Sequence, residues 1–401
     1  MSVPRKYRHL GDFHKYYSGH SRAPVLTIVI GGNHEASNYL FELYHGGWLA
    51  PNIYYLGAAG VVRYGPLRIA GLSGIYDKRD YRKPHHERLP YDRESIKSVY
   101  HVREYDVRKL LSVTGHVDVC LSHDWPAWVE LFVDYEELYA SKPQFYESAK
   151  KDGLGSKPAT QLLDHMRPSH WFSGHMHVKF EAVVQHEKTS IDETIRSLQS
   201  SPETLRSKLP IFDDEYQVAL TPAVPGVEKS KNTTTEFLAL GKVGQDTDTY
   251  LEFLELGPPV SPQDARYLER TADGKYGLWY DEEWLAITRA YNDSLLLADP
   301  ETLIVPPGRQ NTAQITKKAI AAHQTWVNDN LTVKGLLKIP HNFVAHAPFH
   351  YAETADAEEQ PTEYPNIQTS AFTELLHMQN QFEMQEFEDV SEHGSDGIEF
   401  G

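Results

Sequence analysis

The chain has 401 residues, 40% apolar and 24% charged, which is typical of a globular protein with additional polar segments. Its formal charge of −17 does not exclude a nucleic-acid partner, because residues 352–401 carry thirteen acidic side chains and no Lys or Arg. The single cysteine excludes a disulfide-stabilised scaffold and indicates a reducing compartment, and without an apolar run of about 18 residues we expect no membrane span.

The first apolar segment ends at two glycines. Residues 1–23 are basic and Tyr-rich, and we expect them to form a helix and then a loop. They contain no apolar segment of the kind that a secretory signal needs, so we do not expect such a signal. The apolar run 24–30 followed by Gly31 and Gly32 predicts a buried strand that stops at a tight turn. Asn33 and His34 would then lie at the carboxyl end of a strand, where α/β sheets bind their ligands.

The next part of the chain predicts a helix over 35–43, and strands over 52–56, 61–64 and 67–71. A long irregular stretch from Ser73 to Arg103 follows, rich in basic and aromatic residues. Such a mixture is typical of single-stranded nucleic-acid binding, because phosphates take the charge and bases stack on the rings; a solvated surface loop is the alternative. The substrate-binding candidates are Tyr76, Lys78, Arg79, Tyr81, Arg82, Lys83 and His86.

Two further apolar runs also end in histidines. A helix over 102–112 leads to a strand that ends at His123, and we expect Cys120 to be a small buried side chain within that strand. The third run ends at Gly174, followed by His175 and His177. Three strand ends that supply Asn, His and His-x-His predict a nitrogen- and oxygen-rich site for a divalent metal.

The whole chain divides into four predicted regions. Within the first region, 1–186, residues 135–155 form an insertion and residues 158–166 form a helix capped by Ser156. Strands over 236–241 and 250–256 and helices over 281–291 and 314–331 follow. The predicted domains are 1–186 with the candidate site, 187–234 as a disordered linker, 235–350 as a small α+β C-terminal domain, and 351–401 as a disordered acidic tail.

Several motifs together resemble one family. The chain is similar to the calcineurin-like metallophosphoesterases and, more narrowly, to the RNA lariat debranching enzymes, which implies an α/β metallophosphoesterase sandwich. The likeness is dense over about residues 1–181 and resumes at 235–256 and 279–291. It is carried by Ile30-Gly-Gly-Asn-His-Glu-Ala-Ser-Asn38, Gly46-Gly-Trp-Leu-Ala-Pro-Asn-Ile-Tyr-Tyr-Leu-Gly57, Asp80-Tyr-Arg-Lys83, Ser122-His-Asp-Trp-Pro126 and His175-Met-His-Val-Lys-Phe180.

The resemblance implies a two-metal hydrolase whose metals (iron, zinc or manganese) polarise a phosphodiester and activate water. Asn33, His123 and His175 would bind one metal and His177 the other. His34 would bind neither; since histidine exchanges protons near neutral pH, it would protonate the leaving 2′-oxygen. The implied reaction, a step of mRNA processing in the nucleus, opens the 2′–5′ branch of excised intron RNA. Residues 73–103 would be the lariat recognition loop. The implied partner is branched RNA, with neither DNA nor a membrane.

The likeness starts after two motifs with which the family opens, a Cys-x-x-His motif and a strand ending in Gly-Asp. Gly11-Asp12 does not replace the second, because the residues before it are not an apolar strand. We therefore expect the given sequence to hold only one metal and to be deficient in catalysis, through a gene-model error or an alternative start. Two alternatives stay open: a shortened, inactive RNA-binding relative, and a general phosphodiesterase or nuclease.

Overall fold

The computed structural model describes residues 11–133, 135–151, 153–186, 221–244, 250–257, 259, 264–271, 273–297, 315–349 and 360–382. The strands are β1 Thr27–Val29, β2 Gly47–Ala50, β3 Ile53–Tyr55, β4 Ala59–Tyr64, β5 Leu67–Leu72, β6 Val119–Ser122, β7 His170–Ser173, β8 Phe180–Gln185, β9 Thr234–Ala239 and β10 Leu278–Tyr280. The helices are α1 Phe13–Tyr17, α2 Ser37–Glu42, α3 Ser95–Ser98, α4 Glu104–Leu110, α5 Tyr135–Ser141, α6 Pro143–Lys150, α7 Lys157–Met166, α8 Glu282–Tyr291, α9 Lys317–Val327 and α10 Ile367–Leu375.

Seven strands form the larger sheet, in the order β10-β4-β5-β6-β7-β9-β8. Strands β5, β6, β7 and β9 are consecutive and mutually parallel, whereas β10, β4 and β8 are antiparallel to their neighbours. The carboxyl ends of the four parallel strands therefore lie along one edge. The segments that follow these strands are neighbours at that edge, in the same order.

A smaller sheet, in the order β1-β3-β2, packs on one face of the larger one. Its Trp48 and Tyr54 share a core with Val62, Ile69 and Val119 of the larger sheet. The opposite face packs against helices, and that core includes Ala70, Cys120, Leu110, Leu163 and Leu285. The result is a two-sheet sandwich with helices outside, which confirms the predicted fold class and the buried position of Cys120.

Most predicted elements are present with shifted ends. Helix α7 begins as predicted, because the Ser156 hydroxyl accepts a hydrogen bond from the amide of Ala159. Strand β1 has only three half-buried residues, since it lies at the edge of the small sheet. The strand predicted over 250–256 is wrong: this segment is irregular and largely exposed, without strand pairing. Strand β2 and the helices of the insertion were not predicted.

Two strands of the predicted C-terminal domain belong to the large sheet. Strand β9 pairs with β7 and β10 pairs with β4, so the boundary at 234/235 does not separate two sheets. Residues 187–220, 351–359 and 383–401, which make up most of the predicted linker and tail, lie outside the described residues. The prediction of disorder is wrong for 367–375, because these residues form α10 and bury Gln368 and Phe372. None of the helices in the described part is long and apolar enough to cross a membrane.

Candidate metal centre

The turn after β1 is held by hydrogen bonds to its backbone. The amide of Gly31 donates to Oγ of Ser73 at 3.0 Å. The amides of Gly32 and His34 both donate to Oε2 of Glu35, at 2.9 and 3.1 Å. Glu35, to which the sequence analysis gave no role, therefore fixes the turn that presents Asn33.

Three donor atoms converge at the edge where β6 and β7 end. Nε2 of His123 lies 3.1 Å from Oδ1 of Asn33 and 3.1 Å from Nδ1 of His175. Ligand atoms about 2.0–2.1 Å from one shared metal are roughly 2.9–3.4 Å apart, depending on the coordination geometry. Both separations fall in that range and are compatible with a shared divalent cation, with His123 as the donor common to the two pairs.

The loop after β7 has a strained backbone at both of its histidines. His175 and His177 have φ angles of +61° and +56°, which side-chain-bearing residues rarely adopt. The amide of Met176 donates to the carbonyl of Gly174 at 2.7 Å, which makes His175 the centre of a γ-turn. Nε1 of Trp125 donates to the same carbonyl at 2.9 Å. Such strain is typical of functional sites, and Trp125 helps to hold it.

Burial keeps His123 neutral. The pKa of His123 is lowered to about 4, first by burial and then by the nearby imidazoles of His175, His34 and His177. At physiological pH its ring therefore has a lone pair for a cation without the loss of a proton. The same electrostatic effects place His34 and His177 near the three converging donors.

Asp124 lies behind His175. Its Oδ1 is 3.8 Å from Nε2 of His175, the ring nitrogen that faces away from His123, and its Oδ2 accepts from the amide of Tyr76 at 3.2 Å. Burial is the main cause that raises the pKa of Asp124. This distance is too long for a hydrogen bond, but the carboxyl group faces the outer nitrogen of the His175 ring. The sequence analysis gave Asp124 no role, although it stands in the motif quoted for the family.

His34 and His177 are both exposed. Among the described residues, the group of His, Cys, Asp and Glu donors that all lie within 4.8 Å of one another consists of Asp77, Asp80 and His101. His177 therefore forms no such cluster with His123 and His175. The structure brings Asn33 and His175 to His123, whereas the assignment of His177 to a different metal stays a prediction.

The recognition loop, 73–103, begins at this site. The amide of Gly74 donates to the carbonyl of Gly31 at 2.8 Å. Lys78, Arg79 and Arg82 are exposed, whereas Tyr76, Lys83 and His86 are half-buried. Tyr81 is only 2% exposed, so the prediction that it contacts substrate is wrong. Its ring packs in the core and its hydroxyl bonds to Thr221, which leaves no face for a base.

The curated relatives and the family model agree with one another. Residues 232–381 match the model described as "Lariat debranching enzyme, C-terminal domain". The chain is 38% identical to the lariat debranching enzyme of Arabidopsis thaliana, over 94% of this chain and 74% of the relative. It is 36% identical to that of Schizosaccharomyces pombe (94% and 86%) and 38% identical to that of Homo sapiens (94% and 59%). The chain belongs to the lariat debranching enzyme family.

The Asp77–Asp80–His101 cluster lies in the region that resembles the recognition loop of debranching enzymes. Nδ1 of His101 and Nζ of Lys83 each lie 2.7 Å from a carboxylate oxygen of Asp80. Arg79 pairs with Asp77 at 2.6 Å. His101 first, and then Lys83 and Arg103, lower the pKa of Asp80. Because its acids already have basic partners, the cluster is an ion-pair network that shapes the loop.

Proposed function

We propose that this chain hydrolyses the 2′–5′ phosphodiester at the branch point of excised intron RNA, as its family membership implies. The observation that carries the proposal is the convergence of Asn33, His123 and His175 beside the first residues of the recognition loop. A bound metal would therefore lie next to the surface that contacts RNA. This juxtaposition is what a branch-specific hydrolase needs.

Asn33, His123 and His175 would hold one divalent metal, and His177 would contribute to a second. Iron, zinc and manganese all suit imidazole and amide-oxygen ligands of this kind. When bound, the metals would polarise the phosphodiester and lower the pKa of water. Since the described donors meet at one point and His177 stands apart, we propose that the 401-residue chain binds one metal tightly and the second weakly, and that its turnover is correspondingly slow.

His34 would act as the general acid. Its exposed ring stands near His123 and His177, and its backbone is fixed by Glu35. A histidine at this position can donate a proton to the departing 2′-oxygen without binding the metal. The exposed cations Lys78, Arg79 and Arg82 would contact backbone phosphates. The amide of Tyr76 bonds to Asp124, and its ring packs against that of Tyr81.

A comparison of three RNAs separates this proposal from its alternatives. A branched RNA, a linear RNA of the same sequence and a linear RNA with one internal 2′–5′ bond would be incubated with the Mn²⁺-loaded chain. We expect cleavage at the 2′–5′ bond of the branched RNA and no cleavage of 3′–5′ bonds. Tight binding without cleavage would favour the inactive RNA-binding relative. Equal cleavage of all three RNAs would favour a general nuclease.

A nuclear location follows from the proposed substrate, because excised introns are produced where splicing occurs. It is a proposal of the same account and has its own test. A fluorescent fusion of residues 1–401 should accumulate in the nucleus of a cell from the source organism. A fusion found only outside the nucleus would contradict it.

A further inference from the structure

A lysine follows the strand next to the His175 loop. Strands β7 and β9 are parallel and Ser173 pairs with Ala239, so the residues after each strand continue side by side. The amide of Leu240 donates to the carbonyl of Ser173 at 3.1 Å, which extends this pairing to the strand ends. Lys242 comes two residues later and is exposed. It therefore stands beside the loop that carries His175.

A second lysine approaches the same loop from the helical insertion. Lys142 directly precedes α6, and its side chain is half-buried. One turn later Phe145 packs against Trp125, with their ring centroids 6.4 Å apart. Trp125 in turn bonds to the carbonyl of Gly174. Helix α6 is thus anchored on the residue that supports the His175 turn, and its first turn lies at the rim of the site.

Both lysines lie close enough to His177 to lower its pKa. The pKa of His177 is lowered by burial first, and then by Lys242, His175, His34 and Lys142. The ion pairs of the described residues leave both ammonium groups without a carboxylate partner, whereas Lys179 nearby is paired with Glu181 and Glu252. Two unneutralised cations at the rim of a metal site create a positive potential that attracts an anion.

The order of strand ends places Lys242 across the site from the recognition loop, and Lys142 approaches the same histidine, His177, from α6. The loop follows β5, His123 follows β6, His175 and His177 follow β7, and Lys242 follows β9. A branch nucleotide joins three RNA arms at the bond to be cut. If that bond lies over the converging donors, arms must leave the site on both sides.

We infer that Lys142 and Lys242 bind backbone phosphates of a second RNA arm, on the side of the metal centre opposite the recognition loop. The inference rests on the proposed function, because it presumes a branched substrate centred on the metal site. The lysines contact phosphates only, and so they give affinity for the arm without reading its sequence.

Equilibrium binding to a three-armed branched RNA and to three trimmed versions of it tests this inference. In each trimmed version, a different arm is shortened to a single nucleotide. The paired change Lys142→Ala and Lys242→Ala should weaken binding of the three-armed RNA by about tenfold, and reduce the slope of log K against log salt concentration by about 1–2. For one trimmed RNA, wild type and variant should bind equally, because the arm that they contact is missing.

Two sets of variants serve as controls. Lys231→Ala with Lys318→Ala removes two exposed lysines elsewhere and should leave binding of the three-armed RNA within twofold of wild type. Lys142→Arg with Lys242→Arg keeps the charges and should retain most of the affinity. Unchanged affinity in the double alanine variant overturns the inference, as does an equal loss for every trimmed RNA or an equal loss in the Lys231 and Lys318 pair.

Different results would contradict the proposed function and the second-arm site. A wild-type chain that binds three-armed RNA in an arm-dependent manner but cuts no 2′–5′ bond would overturn the proposed reaction and keep the second-arm site. A wild-type chain that binds branched RNA no better than linear RNA would overturn both.

Discussion

A methyl group on Gly32 would lie 2.6 Å from Cε1 and 2.9 Å from Nε2 of His123. Real Cβ atoms do not approach other heavy atoms so closely, and so the imidazole ring packs directly against the glycine backbone. The second glycine of the turn is thus required by the position of His123. The close approach links the strand end at Asn33 to the strand end at His123.

The change Gly32→Ala should therefore weaken metal binding. The methyl group would push Nε2 of His123 away from Asn33 and His175, and we expect the affinity for Mn²⁺ to fall by about tenfold or more, the range for disturbed ligand orientation. Isothermal titration with Mn²⁺ measures it. Gly174→Ala is the matched control, because a methyl group there meets no atom within 4 Å. Equal affinities in the two variants would contradict the account.

The change His34→Ala should slow catalysis strongly without loss of metal. We expect turnover to fall by about 10²–10⁴-fold, the usual range for general acid–base catalysis, because the leaving oxygen would no longer receive a proton. Metal content by mass spectrometry and single-turnover cleavage of branched RNA give the two readouts. Full turnover at normal metal content would remove His34 from the mechanism.

The recognition loop should contribute to binding through its cations. Replacing Arg79, Arg82 and Lys83 by Ala should weaken branched-RNA binding far more than it slows hydrolysis of a small chromogenic phosphodiester, and should reduce the salt dependence of binding. Arg79 and Lys83 also pair with Asp77 and Asp80, so the thermal stability must be measured in parallel. An equal loss on both substrates would indicate a disturbed loop rather than lost phosphate contacts.

The separate strand ends and the side chains that they present could be predicted from local sequence. Each apolar run followed by Gly or His predicts a strand that presents a side chain at its carboxyl end, and Asn33, His123 and His175 meet there as expected. The positions of Lys142 and Lys242 could not be predicted in this way. Their proximity to the site depends on which strands are neighbours and on where α6 packs, and neither follows from local periodicity.

Tyr81 and the segment 250–256 show why local patterns mislead. Basic and aromatic residues alternate around Tyr81, but its ring fills the core beneath the loop and so contributes to folding. The alternation over 250–256 predicts a strand with one buried face, yet this segment has no strand pairing and most of its side chains are exposed. In both places a local pattern did not determine the tertiary contacts.

Glu130 should make the stability depend on pH. It is 1% exposed, and burial raises its pKa to about 7. A carboxyl with a raised folded-state pKa contributes stability below its unfolded pKa, about 4.3, and loses that contribution as the pH rises through the folded value. Between pH 4.5 and 8, wild type should therefore lose about 2–3 kcal/mol of unfolding free energy relative to Glu130→Gln.

Urea denaturation at several pH values measures this difference. The exposed Glu137→Gln on the neighbouring helix is the matched control and should follow the wild-type curve. Parallel curves for wild type and Glu130→Gln would show that the buried carboxyl has an ordinary pKa.

Metal titration of His123→Ala beside the wild-type chain tests the central claim most directly. His123 contacts both other donors, so its removal should eliminate the tight site. We expect wild type to bind Mn²⁺ tightly at one site and to cut the 2′–5′ bond of branched RNA, however slowly, and His123→Ala to lose both. A His123→Ala variant that retains the wild-type affinity and stoichiometry would show that the metal is held elsewhere, and would contradict the account.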